Sequence, residues 1–225
     1  MKNNKITAVI PVKKNSSRLK GKNFLPFGDF ETLLENKIYQ LKKCDKINKI
    51  LVTSDSLRAK EISEKMGVEF ELRPIEYANE SRPLSEFFRY VATLLEDNSN
   101  MLWACVTSPL IDEDDYTKII NRYFESITKG YDSIITVTKF KHYLMDSKGP
   151  LNYKLGEGHT NSQDLPEYDL FTNGALICPV SSLIEWGYNY GPKPYRYSVP
   201  QSKSIDIDTE CDYIMAKAIK ISQIT

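Results

Sequence analysis

The sequence predicts an α/β protein with a mostly parallel, Rossmann-like sheet, helices on both faces and one inserted arm. Three observations point there. Short apolar runs rich in β-branched residues alternate with longer stretches of helical apolar spacing, the pattern of parallel strands joined through helices. Polar and charged residues gather directly after the strand-like runs, where open α/β sheets hold ligands. One polar stretch, at about 139–172, interrupts the alternation and has no helical period.

Each element has its own signal. Ile6 to Val12 is a buried-strand run. Thr32 to Lys43 carries Leu33, Leu34, Ile38 and Leu41 at helical spacing. Lys49 to Ser54 reads as a second strand, and Ser56 to Met66 as a helix closed by Gly67. Val68 to Leu72 is a short strand. Leu84 to Glu96 places Phe87, Phe88, Val91 and Leu94 on one helical side. Met101 to Thr107 is expected as a strand, Asp112 to Ile127 as an aspartate-capped helix, and Ser133 to Thr138 as a further strand. Regular structure is expected again at Gly174–Cys178, Tyr195–Val199 and Ser204–Asp208, before a last helix from Glu210 to Ile221. The reading is one domain over residues 1–225, the arm being a hairpin extension or a subunit contact.

Composition narrows the function. Of 225 residues, 41% are hydrophobic and 27% charged, a folded rather than a disordered balance. Thirty basic residues meet thirty acidic ones, which argues against nucleic acid as the main partner. No run approaches the roughly 18 apolar residues of a membrane span. The apolar stretch before Lys13 is too short for a signal-peptide core, and a cytoplasmic protein is expected. Cys44, Cys105, Cys178 and Cys211 are widely spaced and suit neither a disulfide framework nor zinc. The two histidines, His142 and His159, make no HExxH pattern.

Two segments carry chemistry. The loop Lys13 to Asn23 holds Lys13, Lys14, Arg18, Lys20 and Lys22 with no acid. Such crowding is relieved by an anion, and Asn15, Ser16 and Ser17 offer N–H and hydroxyl donors to phosphate oxygens. The loop is either a triphosphate cradle or a solvated basic loop. It matches neither GxxxxGK[ST] nor GxGxxG, so a P-loop ATPase and a dinucleotide-dependent dehydrogenase are disfavoured. Asp206-Ile207-Asp208 puts two carboxylates on one side of a strand and suits Mg²⁺, or else ends a strand and caps a helix. Thr107-Ser108-Pro109-Leu110, Arg73-Pro74 and Asn173-Gly174 are, taken singly, strand exits and turns.

In order, these segments resemble the CMP-sugar synthetase (acylneuraminate cytidylyltransferase) family. The likeness runs through Ala8-Val9-Ile10-Pro11, the basic loop, Lys22-Asn23, Ser54-Asp55, Leu72-Arg73-Pro74, Thr107-Ser108-Pro109-Leu110, Asn173-Gly174-Ala175 and Asp206-Ile207-Asp208-Thr209. It implies transfer of CMP from CTP to an acidic acceptor with release of pyrophosphate, using Mg²⁺, in a homodimer. Position by position, it implies Lys22, Lys13 and Asp208 as catalytic groups. Pro11, Asn15, Ser16, Arg18, Asn23 and Arg73 join the two lysines around the nucleotide. Asp206 and Asp208 take the metal. Cys105, Thr107, Ser108, Gln163, Asn173 and Lys141 lie on the acceptor side.

The departures fall mostly on the acceptor side. Lys13 stands where the family usually has an arginine, and Ser17-Arg18 where it has lysine–glycine. Cys105 replaces a glutamine that hydrogen-bonds an acyl sugar, and Ser162 replaces an arginine suited to a sugar carboxylate. Lys139, Lys141, His142 and Lys154 are candidate replacements in the arm. The implied acceptor is a sialic-type nine-carbon keto acid. The alternative is a small phosphorylated or phosphonate compound, as in the branch that cytidylylates phosphoglutamine. The three-deoxy-octulosonate enzymes are more distant. A DxD glycosyltransferase and a non-catalytic CTP-binding relative also remain open.

Overall fold

The computed structural model describes residues 4–79 and 81–222. Its strands are β1 (Ile6–Val12), β2 (Lys49–Ser54), β3 (Glu69–Leu72), β4 (Asn100–Trp103), β5 (Ser133–Phe140), β6 (Met145–Asp146), β7 (Gly149–Pro150), β8 (Tyr168–Pro179) and β9 (Pro194–Ser198). Its helices are α1 (Leu33–Lys43), α2 (Leu57–Lys65), α3 (Ile75–Ala78), α4 (Leu84–Thr93), α5 (Glu113–Thr128), α6 (Val180–Trp186) and α7 (Glu210–Ser222). Seven strands form one sheet in the order β3-β2-β1-β4-β8-β5-β9, in which β8 alone runs against its neighbours. The expected mostly parallel sheet is therefore present.

Strand alternation sorts the core into two layers. Ile6, Ala8 and Ile10 face a cluster with Leu34, Ile38 and Leu41 of α1 and with Tyr116 and Ile120 of α5. Val9, Met101 and Trp103 face the other cluster, with Phe87, Phe88 and Val91 of α4 and Leu183 of α6. Local capping starts the helices. Thr32 Oγ1 accepts from the Glu35 amide at 3.0 Å, and Asp112 and Asp115 cap α5 reciprocally at 3.0 and 3.1 Å.

Four expectations need correction. The strand expected over Met101–Thr107 ends at Trp103, because β8 pairs no further than Leu176 and the chain turns at Ser108, whose amide donates to Cys105 O. Ser204–Asp208 is not a strand. Among the described residues no strand pairs with it, and single contacts hold it instead: the Ile207 amide donates to Thr107 O at 2.7 Å, Lys22 Nζ to Ile207 O at 2.8 Å and Asn173 to Asp206 Oδ2 at 2.7 Å. The two carboxylates thus have no pleat to align them. The run Gly174–Cys178 belongs to a much longer strand, Tyr168–Pro179. The arm is shorter than 139–172 for that reason. The β5–β8 ladder reaches Phe140↔Tyr168, and the arm is its tip, residues 141–167, with the small β6–β7 hairpin.

That ladder holds an irregularity with consequences. Ile135 pairs Leu176, but Thr136 pairs Thr172, so Asn173-Gly174-Ala175 bulges out of register. Thr136 Oγ1 closes the bulge, accepting from the Ala175 amide at 3.1 Å and lying 2.8 Å from Thr172 Oγ1. There is little room beyond glycine at the centre: a Cβ there would lie 3.0 Å from Ile111 Cγ1 and 3.1 Å from Thr136 Oγ1, so a larger residue would need those side chains to give by a few tenths of an ångström.

Candidate active site

The strand order reverses direction at β1, with β2 on one side and β4 on the other. Ligands in open α/β sheets bind beyond the carboxyl ends of strands at such a point. A cleft of about 880 Å³ opens there, with the basic loop (Lys13, Arg18 and Lys22) on one side, Arg73 and Phe87 on another, and Trp103, Cys105 and Thr107 at the end of β4. Its size suits a nucleotide-sized molecule.

The basic loop is built to present cations. The Lys14 amide donates to Asp55 Oδ1 at 2.7 Å, tying the loop to the end of β2. Asn23, itself buried, donates through Nδ2 to Lys13 O at 2.9 Å and closes the loop on itself. Gly21 takes φ 63°, a left-handed turn that favours glycine and leads directly into Lys22. Lys22 Nζ then donates to Ile207 O and Asp208 Oδ1, both at 2.8 Å. Arg18 Nη1 meets the other Asp208 oxygen at 2.8 Å. One carboxylate from the far end of the chain is gripped by two cations of the first loop.

Arg73 forms the opposite wall. It is 3% exposed, and Nη2 donates to Thr53 O at 2.7 Å. Its guanidinium lies 4.5 Å from the Phe87 ring centroid. Burial lowers its pKa to about 10, with Asp55 acting in the other direction, so it stays charged at neutral pH.

The acceptor-side wall is the turn after β4. Cys105 and Thr107 line the cleft. Burial, then Asp206, push the Cys105 thiol up to about 12, so it is a neutral, weak hydrogen-bonding group. Ser108 is buried, absent from the cleft lining, and its carbonyl accepts from Lys37 Nζ at 2.9 Å. Asn173, carried on the bulge, donates to Asp206 Oδ2 at 2.7 Å.

Pro11, Lys13, Asn15, Ser16, Arg18, Lys22, Asn23, Arg73, Cys105 and Thr107 come together in the cleft. Asp206, Asp208 and Asn173 join it through Lys22, Arg18 and the bulge rather than by lining it. Gln163 and Lys141 do not line it. They meet on the exposed arm, where Lys141 Nζ donates to Gln163 O, because the arm extends the β5–β8 ladder away from β1 and β4. Lys139 is likewise engaged, 2.9 Å from Asp169 and 3.2 Å from Glu167.

Sequence reasoning missed several groups. Tyr77, Asn79, Arg82, Phe87 and Trp103 line the cleft, and no local pattern marks them. Lys37 had a signal: a lone cation inside the apolar stripe of Leu34, Ile38 and Leu41. Lys203 bridges Asp112 and Asp115 at 2.5 and 2.6 Å, fastening the 201–208 segment to the start of α5.

The donor set fits Mg²⁺ held with a substrate. Asp206 Oδ1 is buried and has no hydrogen-bond partner among the described residues. Mg²⁺ typically takes one or two carboxylates and completes its shell with water and substrate phosphates. No group of three or more His, Cys, Asp or Glu able to hold a metal occurs among the described residues, so an all-protein cage is not what this set provides. No described helix is long and apolar enough to cross a membrane.

Comparison with known proteins agrees with this geometry. Residues 7–150 match the family model described as cytidylyltransferase. The chain is 26% identical over 223 residues to the N-acylneuraminate cytidylyltransferase of Escherichia coli O18:K1:H7 (strain RS218 / NMEC). The match covers 96% of this chain and 52% of that protein, so the chain spans about half the length of this curated relative. Among solved structures, CMP:2-keto-3-deoxy-manno-octonic acid synthetase complexed with CTP superposes with a TM-score of 0.72 at 13% identity, covering 97% of this chain and 99% of that one. The 4-diphosphocytidyl-2C-methyl-D-erythritol synthase of Anaerococcus prevotii DSM 20548 follows at 0.61 and 16%, covering 97% and 100%. These two likenesses concern the fold.

Proposed function

The chain belongs to the cytidylyltransferase family, and on that premise we propose that it transfers CMP from CTP to an acidic small-molecule acceptor, most specifically a nine-carbon keto-acid sugar. The observation that carries this reading is the grip of Lys22 and Arg18 on Asp208 at the mouth of the switch-point cleft. It brings cations for a polyphosphate and carboxylates for a divalent ion into one place.

In this reaction the acceptor hydroxyl oxygen bonds to the α-phosphorus of CTP. The bond from that phosphorus to the α–β bridging oxygen breaks, pyrophosphate leaves, and the hydroxyl proton passes to water. Lys13, Arg18 and Lys22 hold the phosphates and stabilise negative charge that grows on the leaving pyrophosphate. Asn15 and Ser16 supply hydrogen-bond donors to the same oxygens, and Asn23 keeps the loop in shape through Lys13 O. Pro11 and Arg73 wall the nucleoside, with Arg73 held planar against Phe87. Cys105, Thr107 and Asn173 flank the acceptor. Mg²⁺, held by Asp206 and Asp208 with phosphate oxygens, would neutralise charge on the triphosphate. Arg18 and Lys22 each contact one oxygen of Asp208, and the remaining lone pairs of that carboxylate would be open to a metal ion.

The nine-carbon keto acid draws on the named activity of the E. coli relative. A phosphorylated acceptor is the second reading. Arg82 in the cleft wall favours a more strongly anionic partner. The arm, with Met145, Leu151 and Leu155 exposed, would pair with a second copy of the chain in a cytoplasmic homodimer. Light scattering at twice the chain mass of 25.9 kDa is expected.

The deciding experiment measures Mg²⁺-dependent pyrophosphate release from CTP against neuraminic, legionaminic and pseudaminic acids, three-deoxy-octulosonate, phosphoglutamine and simple phosphonates. ATP, GTP and UTP serve as controls. Release with CTP and a keto-acid sugar is expected. Release only with a phosphorylated acceptor replaces the first reading by the second. CTP binding without release from any acceptor sinks both.

A further inference from the structure

Lys37 is the one lysine whose side chain lies wholly in the core among the described residues, at 0% exposure. Its ammonium is fully partnered without any carboxylate in contact. Nζ donates to Ser108 O at 2.9 Å, to Ile111 O at 3.3 Å and to the Tyr116 hydroxyl at 2.7 Å. Its neighbours on α1 continue the pattern: Gln40 donates to Pro109 O at 2.7 Å and Asn36 to the same oxygen at 3.4 Å. Burying a cation is costly, and hydrogen bonds to every proton offset that cost only in part.

Two polar routes lead from this ammonium to the carboxylate segment. The first runs through the turn: Lys37 holds Ser108 O, and the adjoining Thr107 O accepts from the Ile207 amide at 2.7 Å. The second runs through Tyr116, whose hydroxyl lies 3.5 Å from Gly174 O in the bulge, next to Asn173 and its bond to Asp206.

We propose that Lys37 is a positioning residue, which sets the 105–111 turn and, through Thr107 and the bulge, the Asp206–Asp208 segment for the reaction. The proposal rests on the cytidylyl-transfer reading for its kinetic part and on the hydrogen bonds alone for its structural part. Around Nζ lie two carbonyls and one hydroxyl: the ammonium donates to all three, whereas the neutral amine has two hydrogens and takes the third contact by accepting from the Tyr116 hydroxyl, which withdraws that hydroxyl from Gly174 O. Burial, opposed by Cys105, Asp115 and Asp112, lowers its pKa to about 7. Tyr116, Asp112 and Asp115 face it from the α5 side and the Cys105 thiol from the turn, with both aspartates themselves bound by Lys203. Turnover should therefore decline as pH rises through about 7.

The test is Lys37→Met, which keeps length and removes the amine. Three results are expected: kcat lower by up to about 10²-fold with CTP affinity unchanged, no alkaline limb near neutral pH, and faster amide exchange at Ile207 while β1 amides stay as in the wild type. Wild-type kcat and exchange, or a uniform rise in exchange across the sheet, overturns the proposal. Should Lys37→Met fail to fold, Tyr116→Phe decides. Removing one acceptor should move the limb to lower pH, and an unmoved limb overturns the assignment. The exchange measurement needs no substrate. A wild type inactive with every acceptor sinks the functional reading and leaves the Ile207 result to judge Lys37.

Discussion

Lys22 Nζ lies 2.8 Å from Asp208 Oδ1, a contact between residues 186 positions apart. With Arg18 on the other oxygen, it joins the first loop to the segment before α7. Among the described residues neither cation is paired with a second carboxylate. Asp208→Asn should keep the fold, as judged by circular dichroism, and lower pyrophosphate release by about 10²- to 10³-fold. Release within a few-fold of wild type would remove Asp208 from the chemistry.

Arg73 gives a separate test of the opposite wall. Its fork holds Thr53 O while its flat face packs on Phe87. Lysine keeps the charge and loses both contacts. Arg73→Lys is expected to cost about 1–3 kcal/mol, the range for leaving a buried polar partner unmet, and to weaken CTP binding. Urea melts and CTP titration check the two parts. Unchanged stability would show that Thr53 O finds another donor.

Lys37 also leaves a mark on stability. Its pKa is about 7 in the fold against 10.5 for an ordinary lysine. Between those values the unfolded chain binds more protons than the folded one, so this residue makes stability rise with pH across that window. Below about 7 its charge is buried in full and the penalty is greatest. Urea midpoints at pH 7 and pH 9 for wild type and Lys37→Met measure the difference. A wild type that gains no more than the variant contradicts the buried charge.

The cysteines offer a chemical check. Burial and Asp206 push Cys105 up to about 12, and it carries almost no thiolate near neutrality. Cys44 and Cys178 are buried and Cys211 is exposed. Iodoacetamide at pH 7.5 should therefore label Cys211 and spare Cys105, as read by peptide mass spectrometry. Prompt labelling of Cys105 would mean an open, ionisable thiol on the acceptor wall.

Much of this was legible in the chain itself. The strands of the first half and α1, α2, α4 and α5 follow from apolar period and from caps such as Thr32 and Asp112, which are local signals. The basic loop was legible because five cations without an acid stand out in any reading. Ser204–Asp208 was misread because an extended run does not reveal whether a neighbouring strand exists to pair with it. Ser108, expected on the acceptor side, is buried and does not line the cleft, and a motif position by itself says nothing of burial. Arg82 and Phe87 were missed because they reach the cleft from helix α4 and the loop before it, far from any motif.

The sequence by itself determined strands β1, β2, β3, β5 and β9 and helices α1, α2, α4, α5 and α7, the basic loop after β1 and the carboxylates before α7. These depend on composition and on periods of two and 3.6 residues, which neighbouring side chains encode. Only the tertiary structure decided that Lys22 and Arg18 close on Asp208, and that a bulge at Asn173-Gly174-Ala175 carries Asn173 to Asp206. It alone put Lys37 under the turn that bears Thr107. Those juxtapositions come from strand order and register. A register is a relation between distant segments, and no single segment contains it.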